Sequence, residues 1–108
     1  MKRMYVYIVK CKDNSYYTGV TNDVERRVIE HNIGENQSAY TFERRPVTLV
    51  FWEHFNNPNQ AIEFEKQVKG WSRNKKEALI ERNWGKLKEL AVCKNETSHK
   101  NYKKPPSL

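Results

Sequence analysis

An arginine and a glutamate occupy positions that the hydrophobic pattern of their helices reserves for apolar side chains. Arg27 falls in the stripe of Val24, Val28 and His31 at the i, i+3, i+4, i+7 spacing of one helical face, whereas its neighbour Arg26 falls outside it. Glu65 sits between Ala61 and Val68, on the side that also carries Ile62, Phe64 and Trp71. A charge facing inward is costly unless it is paired or bound to something. Two arrangements satisfy that requirement. One is a buried Arg27–Glu65 salt bridge that locks two helices together. In the other both residues line a cleft, where Arg27 grips a phosphate as a planar fork and Glu65 holds a divalent cation. One carboxylate is enough for magnesium, which keeps several waters and is completed by phosphate oxygens.

Tyr5, Tyr7, Tyr16 and Tyr17 crowd the N-terminal segment. Tyrosine is a good strand residue, so part of this cluster is packing. Tyr7 and Tyr17, however, fall on faces that a hairpin would share, bringing two phenols together. A phenol beside a cation and a guanidinium is expected to lose its proton below its ordinary pKa of about 10 and to activate water as a general base. His31 lies one turn after Arg27 on the same face. It is either a satisfied core histidine or, beside Arg27, a proton shuttle or phosphate contact.

The elements that must position these groups follow from local pattern. Met4 to Lys10 alternates as a strand, Lys12-Asp13-Asn14-Ser15 is turn chemistry, and Tyr16 to Thr21 is a second strand, together an antiparallel hairpin. Gly19, on the face of Tyr17 and Thr21, lets another group approach the backbone. Asn22 with Glu25 forms a capping-box pattern that opens a helix running to about His31. Residues 32–46 read as a loop. Thr48 to Phe55 is a third strand whose near-continuous apolarity predicts a central position or cover on both faces. Asn57-Pro58-Asn59-Gln60 starts a second helix, which Gly70 stops near Lys69. Ser72 caps a third helix to about Arg82, and a short helical piece around Gly85 to Ala91 follows. From Lys94 the chain is lysine, asparagine, serine and proline with almost nothing to bury, predicting a disordered basic tail over 94–108 after one domain over 1–93.

The chain has 108 residues, a formal charge of +7 and only 37% apolar residues. That composition contains no membrane span, and no secretory pattern follows Met1-Lys2-Arg3. Cys11 and Cys93 lack the close spacing of a metal knuckle and read as reduced thiols of a cytoplasmic protein. The excess charge favours a polyanionic partner. Arg44 and Arg45 in the loop, with Lys66, Lys69, Arg73, Lys75 and Lys76 around the turn between the second and third helices, are the candidates to meet a nucleic-acid backbone. The alternative is a solvated basic surface.

Tyr5-Val6-Tyr7, then Tyr17-Thr18-Gly19, then Arg27 in the next helix and Glu65 in the helix after the third strand resemble the GIY-YIG nuclease domain. The likeness is closest to its short stand-alone bacterial branch, related to the N-terminal incision domain of the excision-repair nuclease. It extends over Met4 to about Trp84 and includes Arg44-Arg45-Pro46-Val47 and Glu65 through Arg73. The resemblance implies an α+β fold, a three-stranded antiparallel sheet flanked by helices. It also implies divalent-metal-dependent hydrolysis of a nucleic-acid phosphodiester, with Mg2+ or Mn2+ as cofactor. Matched residue by residue, Tyr7 and Tyr17 are the motif tyrosines, Arg27 the phosphate-stabilising arginine and Glu65 the metal ligand. His31 matches a histidine found in several members, and Asn83 a late asparagine. Tyr5 stands where the first motif has glycine, and Thr18 where the second has isoleucine. DNA is the expected substrate, with RNA not excluded and a targeting protein as an expected partner. The competing expectation is a nucleic-acid-binding module of the same fold without catalysis. Glu65 argues against it, because a bare carboxylate repels phosphate.

Overall fold

The computed structural model describes residues 3–93, with side chains described to residue 90. The tail expected over 94–108 and the Cys93 thiol lie outside the described residues. The elements in order are β1 (Met4–Lys10), β2 (Tyr16–Thr21), α1 (Val24–Ile33), a 3-10 turn (Phe42–Arg44), β3 (Thr48–Phe55), α2 (Pro58–Lys69), α3 (Arg73–Ile80) and α4 (Trp84–Cys93). The class is α+β, a three-stranded antiparallel sheet with helices, as the sequence predicted.

Strand order is β2-β1-β3, so β1 is central and β3 is an edge strand. This corrects the expectation for β3. Its apolar run made it look doubly covered, yet Trp52 is 49% exposed and rests edge-on against Tyr5. The strand covered on both faces is β1, where Val6, Tyr7, Ile8 and Val9 are all buried. Only a central strand has neighbours on both edges and helices over both faces, and apolarity in sequence does not say which strand that will be.

The pleat sends β1 side chains alternately to two faces. Tyr7 and Val9 join Cys11 and Val47 in a buried cluster, against which Tyr17, Val24, Val28 and Leu49 pack. On the opposite face Val6 and Ile8 lie in register with the strand that carries Phe51 and Phe55, and Phe55 meets Phe64 of α2 at 5.5 Å between ring centres. The hairpin register places Tyr7 opposite Gly19. A β-carbon at Gly19 would lie 2.5 Å from the Tyr7 hydroxyl, so the close approach anticipated at this glycine is that of the Tyr7 ring. Gly19→Ala is therefore expected to displace a phenol that has no room to move, lowering stability by about 1–3 kcal/mol as read from the urea midpoint.

Helix α1 begins one residue later than the capping-box pattern implied. Asp23 is the cap, accepting from the backbone N–H of Arg26 at 3.1 Å, while Asn22 instead accepts from the Arg26 guanidinium at 2.9 Å. An aspartate is the stronger cap because its full charge faces the helix N-terminus. The helix runs past His31 to Ile33 and stops at Gly34, whose φ of 73° is the left-handed conformation that glycine adopts without a steric penalty.

The 34–46 connection is tied down at both ends. Asn32 clasps Val47 with both side-chain amide atoms, at 2.7 and 3.1 Å. Arg44 pairs with Asp13 of the hairpin turn at 3.1 Å, and its carbonyl accepts from the Lys12 N–H at 2.9 Å.

The chain divides into two compact units, the first ending at Lys69 and the second beginning at Gly70. In the second, α3 and α4 pack on each other with Ala78, Leu79 and Leu87 buried. Ser72 caps α3 by accepting from Lys75 N–H, as expected, and Asn83 plays the same part for α4, accepting from Lys86 N–H at 3.1 Å.

Candidate active site

The first unit assembles Tyr7, Tyr17, Arg27, His31 and Glu65 around one end of the hairpin. β1 presents Tyr7 and β2 presents Tyr17 on the same face, with ring centres 6.4 Å apart. Below them, α1 supplies His31, whose Nε2 is 2.9 Å from the Tyr7 hydroxyl and whose ring meets Tyr17 edge-on at 5.4 Å. The Arg27 guanidinium lies near enough to the same hydroxyl to pull its proton affinity down. Glu65 acts on Tyr7 as a nearby negative charge. Its carboxylate meets Lys69 Nζ at 2.7 Å, and Nζ in turn lies 5.6 Å above the Tyr17 ring.

Neither charged residue is buried in the sense that the helical pattern implied. Arg27 is 44% exposed and bridges to Glu30 at 3.1 Å, while Glu65 is 15% exposed and pairs with Lys69. No Arg27–Glu65 ion pair occurs among the described residues, so the helix-locking salt bridge is not how these charges are accommodated. Long side chains on an inward stripe reach the rim of the sheet and keep their charged ends in partly solvated positions.

A hollow of about 200 Å³ opens beside these groups, lined by Tyr17, Arg27, Glu30, His31, Tyr40 and Thr41 among others. Tyr40 stacks on Tyr17 at 5.9 Å and is covered in turn by the Arg44 guanidinium at 4.0 Å. Thr41 is 1% exposed, and its hydroxyl lies 2.8 Å from His31 Nδ1. Neither residue was anticipated. Both sit in the 34–46 connection, where no periodicity marks which side chain turns inward.

Burial pushes the Tyr7 phenol up to about 12, against the pull of Arg27. This reverses the expectation of a phenol that readily loses its proton. Desolvation of the anion outweighs one partly exposed guanidinium. Burial likewise holds His31 below its ordinary value, helped by Arg27 and opposed by Glu30. At neutral pH the site therefore holds a neutral phenol on a neutral imidazole, flanked by a guanidinium and a carboxylate.

The expected basic contacts behave unequally. Lys66 is exposed, and Lys69 belongs to the site through Glu65. Arg44 is engaged with Asp13 and Tyr40, and Arg45 lies over the Phe42 ring at 4.4 Å. In the second unit Arg73 pairs with Glu77 at 3.1 Å, and Lys76 is partly buried. Lys75 is 7% exposed with its ammonium 4.4 Å over the Trp71 ring, which removes it from the set of surface cations. Spacing along a helix does not reveal that a lysine will fold back on an aromatic ring.

Glu65 offers a hard carboxylate oxygen, and among the described residues no group of three or more His, Cys, Asp or Glu side chains could cage an ion. Such a donor set fits a magnesium-type site completed by water and substrate oxygens.

The site is a small antiparallel sheet carrying paired tyrosines, with an arginine and a glutamate brought to them by flanking helices. Residues 3–78 match the model of the GIY-YIG catalytic domain, and the chain belongs to that nuclease family, in the short branch of the UPF0213 proteins. It is 49% identical over 80 residues to UPF0213 protein SSP2268 of Staphylococcus saprophyticus, covering 74% of this chain and 96% of that protein. It is 52% identical over 77 residues to UPF0213 protein HQ_3675A of Haloquadratum walsbyi, covering 71% and 85%. Among solved structures, the solution structure of EF2693 from E. faecalis is 36% identical, with a TM-score of 0.54 over 76% of this chain and 86% of that one. Among the described residues no helix is long and apolar enough to cross a membrane.

Proposed function

We propose that the protein is a divalent-metal-dependent endonuclease that hydrolyses phosphodiester bonds in DNA, in repair or recombination. The observation that supports this most strongly is the convergence of Tyr7, Tyr17, Arg27, His31 and Glu65, drawn from four separate elements, on one rim of the sheet. A carboxylate and a guanidinium that both act on one phenol suit a phosphate site only where a cation stands between carboxylate and phosphate, and that is the reason to read Glu65 catalytically.

Hydrolysis passes through a pentacovalent phosphorus carrying more charge than the diester, so groups that meet the added charge lower the barrier. Arg27, partly exposed and held by Glu30, is placed to grip a non-bridging oxygen as that charge develops. Tyr7 takes the proton of the attacking water while passing its own to His31 Nε2, 2.9 Å away. This relay needs no free phenolate, which matters for a phenol whose proton is held up to about 12. Tyr17 fixes the imidazole by edge contact and offers its hydroxyl to the substrate. A divalent ion on Glu65 would supply Lewis-acid polarisation of the phosphate and charge for the leaving oxygen. Lys69, released from Glu65 when the carboxylate turns to the ion, would become a phosphate contact.

The test is to incubate the protein with labelled branched and linear DNA plus Mg2+ or Mn2+, beside a Glu65→Ala control and a chelator. Cleavage by the wild type alone, abolished by the chelator, is expected. Equal cleavage by both proteins would overturn the reading, and retained binding without cleavage would make the domain a binding module. A targeting protein partner is part of the same proposal, since a small domain making few contacts selects its substrate weakly.

A further inference from the structure

The proton path proposed above ends at His31, and the residue behind that histidine is the buried Thr41. We infer that Thr41 is a positioning residue of the site. Its hydroxyl accepts the Nδ1–H of His31 and so fixes the imidazole in the tautomer whose bare Nε2 receives the Tyr7 proton. Both ring nitrogens have one close partner, Tyr7 at 2.9 Å and Thr41 at 2.8 Å, and all three residues are buried.

The direction of the chain follows from Arg27. The positive charge of Arg27 beside Tyr7 favours a phenol that turns its lone pairs toward the guanidinium and its proton toward Nε2. Nε2 then carries no hydrogen, and a neutral imidazole must hold its proton on Nδ1, facing Thr41.

A second observation points the same way. Thr41 occupies the cap position of the 3-10 turn Phe42–Arg44, where a threonine hydroxyl ordinarily serves the exposed N–H groups of the turn. It makes no capping bond. The hydroxyl is turned away from the local backbone and toward α1. The 34–46 connection is pinned by the Asn32–Val47 clasp and by Arg44 on Asp13, which holds Thr41 against the histidine. The groups facing the imidazole are Tyr7, Tyr17, Arg27 and Glu30, and of these only Tyr7 engages a ring nitrogen.

This inference rests on the nuclease reading only for its consequence, because the tautomer is measurable without DNA. Long-range 1H–15N spectra of the full chain are expected to show His31 protonated on Nδ1 in the wild type and in Thr41→Ser. In Thr41→Val the Nδ1–H has no acceptor, so a second tautomer protonated on Nε2 should become populated. In cleavage assays Thr41→Ser is expected to stay near wild type, while Thr41→Val loses roughly 10- to 100-fold in kcat with KM little changed, the usual penalty for removing the partner that orients a functional imidazole. His31 protonated on Nε2 in the wild type, or an unchanged spectrum in a folded Thr41→Val, would overturn the inference. Should Thr41→Val fail to fold, the wild-type and Thr41→Ser spectra still decide it. If the spectra behave as stated and no protein cuts DNA, the positioning role stands and the nuclease reading falls.

Discussion

Glu65→Gln should leave the protein folded and reduce phosphodiester cleavage by about 10²–10³-fold or more, the penalty for losing a principal transition-state charge partner. The physical contrast is one of magnitude. In the fold, Glu65 makes an i, i+4 pair with Lys69, whose side chain is 49% exposed and stays hydrated when its partner is lost. Such pairs contribute about 0.3–0.5 kcal/mol, so the urea midpoint should move little. Were Glu65 instead a buried structural counter-ion, removing its charge would cost about 3–5 kcal/mol. Urea unfolding and single-turnover cleavage on one preparation separate the two roles. A large loss of stability would assign Glu65 to the scaffold, and unchanged cleavage would exclude it from the chemistry. Direct metal titration of both proteins gives a third readout, with weaker binding expected for the glutamine variant.

Tyr7→Phe should be similarly severe, with a loss of about 10²–10⁴-fold for removing a general acid–base group. Here stability also falls. His31 Nε2 loses its partner inside a buried site, which costs about 1–3 kcal/mol.

The pH behaviour distinguishes a relay from a phenolate base. If phenolate were required, cleavage would rise about tenfold per pH unit toward alkaline pH, since Tyr7 titrates at about 12. If His31 receives the proton, the rate should be flat through neutral pH and fall only in acid, below the ordinary histidine value of about 6.5, because burial holds His31 low.

Stability carries the matching signature. Tyr7 binds its proton more tightly folded than unfolded. Its contribution is therefore complete below the unfolded value of about 10 and is lost as pH rises through about 12. His31 binds its proton less tightly folded, so its contribution is complete above about 6.5 and is lost as pH falls through the depressed folded value. Urea midpoints across the pH range should fall at both ends, and Tyr7→Phe should abolish the alkaline limb.

Much of this protein was legible in its residues because local chemistry acts at short range. The hairpin, its turn, the four helices and their stops are written as alternation, caps and glycines, and the structure places them within a residue or two of those signals. Tyr7 and Tyr17 could be put on one face because the period of a strand is two. Arg27 and Glu65 were conspicuous because a charge on an apolar stripe is costly. Sheet order, by contrast, depends on which strand wins two partners, and the apolar run of β3 misled because hydrophobicity alone does not choose the centre. The partners of the two charges, Glu30 and Lys69 in place of each other, stand three and four residues along the same helices, a pairing that helical spacing itself offers. The tertiary structure decided the burial of Lys75, the raised Tyr7 proton affinity and the arrival of Thr41 behind His31. Each depends on solvent exclusion by residues remote in sequence, and desolvation is a property of the assembled fold that no single segment carries.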